Sequence, residues 1–136
     1  MADIQKPTKR IHVAVGIIVD SNNRVLLAKR HGHLHQGGKW EFPGGKVESG
    51  ETTSQALIRE LKEEVDLDVS STEAFMALSY DYPDKHVLLD IHLVSDFTGT
   101  AHGAEGQQIE WVAKANLNDY EFPDANQPIL DQFLAM

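Results

Sequence analysis

Chemistry concentrates in one stretch of this 136-residue chain, residues 44–67, which reads GGKVESGETTSQALIRELKEEVDL. On a helix of about 3.6 residues per turn, Glu60, Glu63 and Glu64 fall at i, i+3 and i+4, so three carboxylates share one face. Leu57, Leu61 and Val65 form an apolar stripe beside them. Taken alone, the helix reads most simply as a solvated acidic face, with Arg59 partly compensating Glu63. The glycine-rich lead-in changes that reading. A broken-backbone turn beside a carboxylate face can bring a main-chain carbonyl into the same oxygen cage, and a hard cation such as Mg²⁺ takes such a shell. An ion there would cancel the carboxylate repulsion, attract a polyphosphate, acidify a water for attack on phosphorus and stabilise the leaving oxygen.

Such a face needs a scaffold, and the remaining chain carries strand signals. Residues 11–19 are β-branched and apolar on both faces, which predicts a buried strand. Asp20-Ser21-Asn22-Asn23 is turn chemistry, with 24–28 expected to return as the second arm of a hairpin. Residues 31–39 read as loop, with His31, His33 and His35 at alternate positions before Gly37-Gly38. Pro43, Gly44, Gly45 and Gly50 break 42–50 too often for a long element. Thr52, Thr53 or Ser54 can cap the carboxylate helix. Residues 74–80 and 108–112 read as strands. In 86–94, Val87, Leu89, Ile91 and Leu93 point one way and His86, Asp90 and His92 the other. A last helix starts at Pro123-Asp124 and carries Ile129, Leu130, Phe133 and Leu134, with Pro128 tolerable only in its first turn. Strands around one helix with a second helix at the end predict an α/β layer fold.

Composition narrows the function. The chain is 41% hydrophobic, without repeats or a linker, so residues 1–136 are expected to form one domain, with 1–10 (Lys6, Lys9, Arg10) a flexible, solvated tail. The longest apolar stretch, 13–19, is too short to span a membrane, and the first residues do not read as a secretion signal. Zero cysteines exclude disulfides, Cys-ligated zinc and thiol catalysis, and fit a cytoplasmic location. Twelve basic against twenty-one acidic side chains leave a formal charge of −9, which repels a polyanion such as duplex DNA. A small phosphate ester is still acceptable if divalent cations sit between it and the protein.

The spacing of Gly45, Glu51 and Arg59-Glu60-Leu61-x-Glu63-Glu64 resembles the Nudix box, with every charged position in register. The resemblance extends to the MutT branch of Nudix hydrolases over 13–134, through VAVGIIVD, WEFPGGKVESGE, YDYPDKH, GAEGQ and FPDANQP. It implies a mixed β-sheet sandwiched between helices, with the box as loop-helix-loop. It also implies that Glu60, Glu63, Glu64 and the Gly44 carbonyl hold Mg²⁺, for which Mn²⁺ can substitute. Glu105 would approach as a further metal ligand or base, while Arg59 and Glu51 orient the helix carboxylates. The implied reaction is attack of water on a nucleoside triphosphate, releasing pyrophosphate and the monophosphate. One box position departs: Asp66 stands where the pattern has Gly, at a helix end that favours a left-handed residue.

The branch's implied substrate is 8-oxo-dGTP, whose clearance prevents mutation during DNA replication. The base reader matches Asn126 in FPDAN. Oxidation at C8 turns guanine N7 from acceptor to N–H donor while O6 remains an acceptor. One amide presenting C=O and NH₂ therefore fits the oxidised base and opposes the ordinary one. Alone, Asn126 is more simply an N-cap of the last helix, and a flipped amide would suit adenine equally. By alignment, Arg30, His35, Glu41, Phe42, Tyr82 and Lys85 resemble pocket positions, although Tyr82 and Lys85 replace the expected Phe and Arg. A transition-metal site at the three His is disfavoured by the missing ligand framework, and Trp40 and Trp111 read as packing. The expected partner is a small nucleotide, with no membrane or nucleic-acid polymer bound and the chain acting as a monomer. Two alternatives stay open: a Nudix enzyme for another nucleotide or an RNA 5′ end, and a non-catalytic nucleotide-binding Nudix module.

Overall fold

Ile17 and Ile18 are consecutive and both fully buried, which a strand achieves only when both its faces are covered. They end β1 (Arg10–Ile18) in a computed structural model that describes residues 10–32, 37–83 and 85–136. The chain continues as β2 (Arg24–Lys29), β3 (Trp40–Glu41), β4 (Gly44–Lys46), α1 (Thr53–Val65), β5 (Asp68–Tyr82), β6 (Lys85–Thr98) and β7 (Ile109–Ala113). Two 3₁₀ turns, Lys114–Asp119 and Asp124–Asn126, lead to α2 (Gln127–Leu134). Pro128 falls in the first turn of α2, where its missing N–H costs nothing.

The expected hairpin of residues 11–28 does not form. β1 lies between β4 and β6 in a four-stranded sheet of order β4-β1-β6-β5, parallel to β6 and antiparallel to β4. β2 lies in a separate antiparallel sheet of order β3-β2-β7, joined to the β1 segment by a single bridge, Val19 to Val25. The expected turn does form: the Asp20 carboxylate accepts the Asn22 and Arg24 N–H groups at 2.9 and 2.8 Å, and Asn23 is left-handed. What differs is the partner. With both edges of β1 taken by long-range pairing, the turn carries the chain from one sheet to the other. The single mixed sheet expected is therefore two sheets.

Both sheets lie between the helices, and alternation along β1 and β2 sets which side chain faces which. Val15, Ile17, Val25 and Leu27 pack with Ile129, Leu130 and Phe133 of α2, while Ala14, Ile18 and Leu26 pack with Leu57, Leu61 and Val65 of α1. Gly16 faces α1, where a Cβ would lie 3.3 Å from Leu57 Cδ1, so its lack of side chain lets the helix approach. The strands read at 74–80 and 86–94 prove longer, because the polar ends of β5 carry no hydrophobic period and are recruited by backbone pairing with β6. Among the described residues no helix is long and apolar enough to cross a membrane.

Candidate active site

Helix α1 starts where capping chemistry permits. Thr52 Oγ1 accepts the Gln55 N–H at 3.1 Å and Gln55 Oε1 accepts the Thr52 N–H at 2.9 Å, a reciprocal capping box. The next residue anchors that end to the sheet: Thr53 Oγ1 donates to Asp90 Oδ2 at 2.6 Å, and His12 Nε2 lies 3.2 Å from the same oxygen. The other end closes on Asp66, which adopts φ 61 and ψ 36, the left-handed conformation expected at the departed position. The Leu67 N–H then reaches back to the Leu61 carbonyl at 3.2 Å.

Arg59 is the organiser of the acidic face. Its Nε and Nη2 donate to Glu51 at 2.8 and 2.9 Å, a bidentate pair, and Nη1 donates to Glu60 at 3.0 Å. Nη1 is 3.4 Å from Glu63, so compensation of Glu63 is the weakest of the three. Nη2 also donates to the Lys46 carbonyl at 3.1 Å, which ties the helix to β4. Hydrogen bonds from Arg59 and from the Glu48 N–H hold the Glu51 carboxyl down to about 2. Glu60 lies against β4 so closely that a Cβ at Gly45 would displace its carboxylate.

Among the described residues Glu64 has no such ion pair. Burial first, then the charges of Glu41, Glu105 and Glu60, raise its pKa to about 8, against a hydrogen bond from the Gly44 backbone that lowers it. Glu105 reaches this position on a loop stitched to the end of α1. The Ala104 N–H and Gln107 Nε2 both donate to the Glu64 carbonyl, at 3.0 and 2.8 Å, and the His102 N–H donates to that of Val65 at 2.9 Å. These contacts satisfy carbonyls that a helix end leaves open. In the sequence Gln107 stands out only as part of GAEGQ. Its structural role depends on a contact 43 positions away along the chain, which no local pattern encodes.

The donor chemistry fits a hard divalent cation: crowded carboxylates, one with its pKa raised by burial and by its neighbours' charge, beside a glycine backbone. Among the described residues no three such side chains are already gathered into a cage; Arg59 engages Glu60 there, and like charges at this spacing repel.

A cavity of about 220 Å³ opens beside β4 and collects Arg30, Glu41, Phe42, Tyr82, Lys85 and Asn126 with Gly44 and Gly45. These are all the pocket positions read from sequence except His35, which lies outside the described residues. Lys46 also lines it, unforeseen because a lone Lys after two glycines carries no periodic signal. Arg30 Nη1 donates to Glu41 Oε1 at 2.7 Å, and burial nevertheless raises the Glu41 pKa. The same pair lines a second cavity with His31, Glu64, Glu105 and Gln107, so it forms a shared wall. Asn126 precedes α2, yet its side chain makes no capping hydrogen bond, which removes the simpler account of that residue.

The match to known proteins covers this whole arrangement. A family model for the NUDIX domain matches residues 14–132. The chain belongs to the Nudix hydrolase family. Nudix hydrolases are generally dependent on a divalent metal. A relative from Escherichia coli K12 named 8-oxo-dGTP diphosphatase is 43% identical over 122 residues, covering 90% of this chain and 95% of its own. Another relative from Escherichia coli K12, named CTP pyrophosphohydrolase, is 34% identical over 122 residues, covering 90% of each chain. A solved MutT structure from work on Aliivibrio salmonicida and Vibrio cholerae superposes with a TM-score of 0.82 at 45% identity, covering 93% of this chain and 98% of that one. The Nudix assignment agrees with the box spacing and with the α/β architecture.

Proposed function

We propose that this Nudix hydrolase converts 8-oxo-dGTP to 8-oxo-dGMP and pyrophosphate with Mg²⁺, removing an oxidised precursor before a polymerase can use it. The observation that carries this reading is the shared Arg30–Glu41 wall, which puts the cavity holding Asn126 next to the one holding Glu64 and Glu105. A nucleotide bound with its base on Asn126 would have its phosphates directed toward the carboxylates. The similarity to a relative named 8-oxo-dGTP diphosphatase supports the same substrate.

In this reading Glu60, Glu63, Glu64, Glu105 and the Gly44 carbonyl hold the cation, with Mn²⁺ as a substitute. The ion supplies charge neutralisation for the carboxylates and polarises both water and phosphate. Arg59 and Glu51 keep the carboxylates aimed, and Glu105 serves as a further metal ligand or as the base that takes a proton from the attacking water. Residues 1–136 act as one domain, monomeric and cytoplasmic. A second reading, a pyrimidine triphosphatase, is favoured by the relative named CTP pyrophosphohydrolase.

The test compares kcat/KM for 8-oxo-dGTP, dGTP and CTP in Mg²⁺, in the native enzyme and in Asn126→Ala. The native enzyme should prefer 8-oxo-dGTP, and a preference for CTP overturns the assignment. Asn126 offers no charge to a developing phosphorane, so its loss should raise KM more than it lowers kcat. Discrimination against dGTP should fall about 5- to 150-fold, the worth of one bidentate base contact. An unaltered preference would remove Asn126 from base reading.

A further inference from the structure

Glu105 is exposed and sits in residues 99–108, the segment between β6 and β7 that holds no helix or strand. Such a loop residue has no packing to fix it, yet Glu105 lines the same cavity of about 140 Å³ as Glu64. Hydrogen bonds must do the fixing, and one side chain of that cavity makes two of them. Gln107 Oε1 accepts the Glu105 N–H at 2.9 Å, and Gln107 Nε2 donates to the Glu64 carbonyl at 2.8 Å. A single amide therefore joins the backbones of the two carboxylate residues.

The residue type suits the task. An N–H and a C=O are to be linked, and a primary amide offers an acceptor and donors on one rigid plane. A carboxylate there would set an oxygen against the Glu64 carbonyl, and a hydrocarbon would satisfy neither group. Capping of α1 does not require the amide. The Glu64 carbonyl also accepts the Ala104 N–H at 3.0 Å, and the Val65 carbonyl accepts that of His102 at 2.9 Å. Nor does closure of the loop require it. The Gly106 N–H reaches the Gly103 carbonyl at 3.0 Å, with Gly106 at φ 83, a conformation that favours glycine. What Gln107 adds to these contacts is the link from Glu105 to Glu64.

We propose that Gln107 is a positioning residue for the metal site, its amide holding Glu105 at a fixed offset from Glu64 so that both carboxylates reach one cation. This rests on the proposed metal site and takes Glu105 as a ligand in it. Without the amide the Glu105 N–H turns to water and the loop tip gains freedom, so binding the ion must order a carboxylate that the native protein holds ready. The helix carboxylates and the base cavity are unaffected.

Mn²⁺ binding, followed through the electron paramagnetic resonance of the free ion, reads the site without turnover. It is measured in the native protein, Gln107→Met, Glu105→Ala and the double variant. Gln107→Met keeps an unbranched chain of similar length and removes both hydrogen bonds. It should weaken Mn²⁺ about 10-fold, the lower end of the cost of losing a group that supports a metal ligand. Gln107→Asn keeps the amide but shortens its reach by one methylene, and should lose a similar factor. In the Glu105→Ala background Gln107→Met should weaken the ion no further. Amide exchange at Glu105 should be slower in the native protein than in either Gln107 variant. Affinity lost in Glu105→Ala but kept in Gln107→Met and Gln107→Asn overturns the positioning role and leaves Glu105 a ligand. Further loss in the double variant also overturns it, by showing an effect of Gln107 that does not pass through Glu105. So does affinity kept in Glu105→Ala, which leaves the ion to the helix carboxylates. Mn²⁺ binding that survives Glu64→Gln removes the shared cation itself, and the positioning role with it.

Discussion

Arg59 commits its guanidinium to Glu51 and Glu60, and that choice leaves Glu64 facing Glu41, Glu105 and Glu60 with no ion pair among the described residues. A carboxyl with a folded pKa of about 8 prefers its neutral form in the fold. The folded state therefore binds more protons than the unfolded chain across the interval from the ordinary carboxylate value up to about 8, and stability of the metal-free protein falls as pH rises through it. Glu64→Gln removes that slope. In EDTA the variant should melt with the native protein near pH 5 and above it near pH 8, the interval set by that shift. A difference in melting temperature that is equal at both pH values would show that ionisation of Glu64 is not the cause. With Mg²⁺ the order should reverse, because only the native carboxylate gains a cation. Turnover should drop by orders of magnitude, and near-normal rates in Glu64→Gln would sink the metal assignment.

Helix α1 owes its position to contacts at both ends. Thr53 and Asp90 hold the start, and the loop bearing Glu105 covers the last carbonyls. Between them sits one locally unfavourable residue, Asp66, at φ 61. A left-handed conformation costs a non-glycine residue about 1 kcal/mol, less for Asp than for most. The Lys62 ion pair at 3.1 Å returns little, since both partners are about half exposed. Asp66→Gly should raise stability by about 0.5–1 kcal/mol, seen as a higher thermal midpoint with kcat unchanged. A lower midpoint would mean that the Asp66 side chain contributes more to the helix end than its backbone strain costs. The helix itself was legible in the sequence through its apolar stripe and capping residues. Its anchoring was not, because Asp90 and Gln107 are distant along the chain and belong to unrelated local patterns.

Across the whole molecule the two helices bury opposite faces of the same two sheets. The carboxylates ride on the helix over one face, while Val87, Leu89, Phe42 and Ala125, which line the proposed base cavity, belong to the cluster under α2 on the other. The proposed chemistry and recognition are therefore supported by different cores that share β1 and β2. Phe133, 3% exposed, lies in the α2 cluster. Phe133→Ala should cost about 3–5 kcal/mol. Because the strands carry both clusters, loss should appear as one earlier transition, coincident by tryptophan fluorescence and by far-ultraviolet circular dichroism. Two separated transitions would show that the cores unfold independently.

Residue types and local spacing determined the box, the α1 stripe, the Asp20 turn and the left-handed position of Asp66, because each depends on neighbours within a turn or two of chain. The tertiary structure decided the rest. It separated β1 and β2 into two sheets, since pairing of β1 with β6 joins residues some 76 positions apart, from Arg10 with His86 to Ile18 with Val94. It extended β5 and β6 beyond their hydrophobic period, because backbone hydrogen bonding does not need apolar side chains. It also brought Asn126 beside Tyr82 and placed the Arg30–Glu41 pair between two cavities. Those juxtapositions follow from packing across the sheets, where distance in sequence carries no information about distance in space.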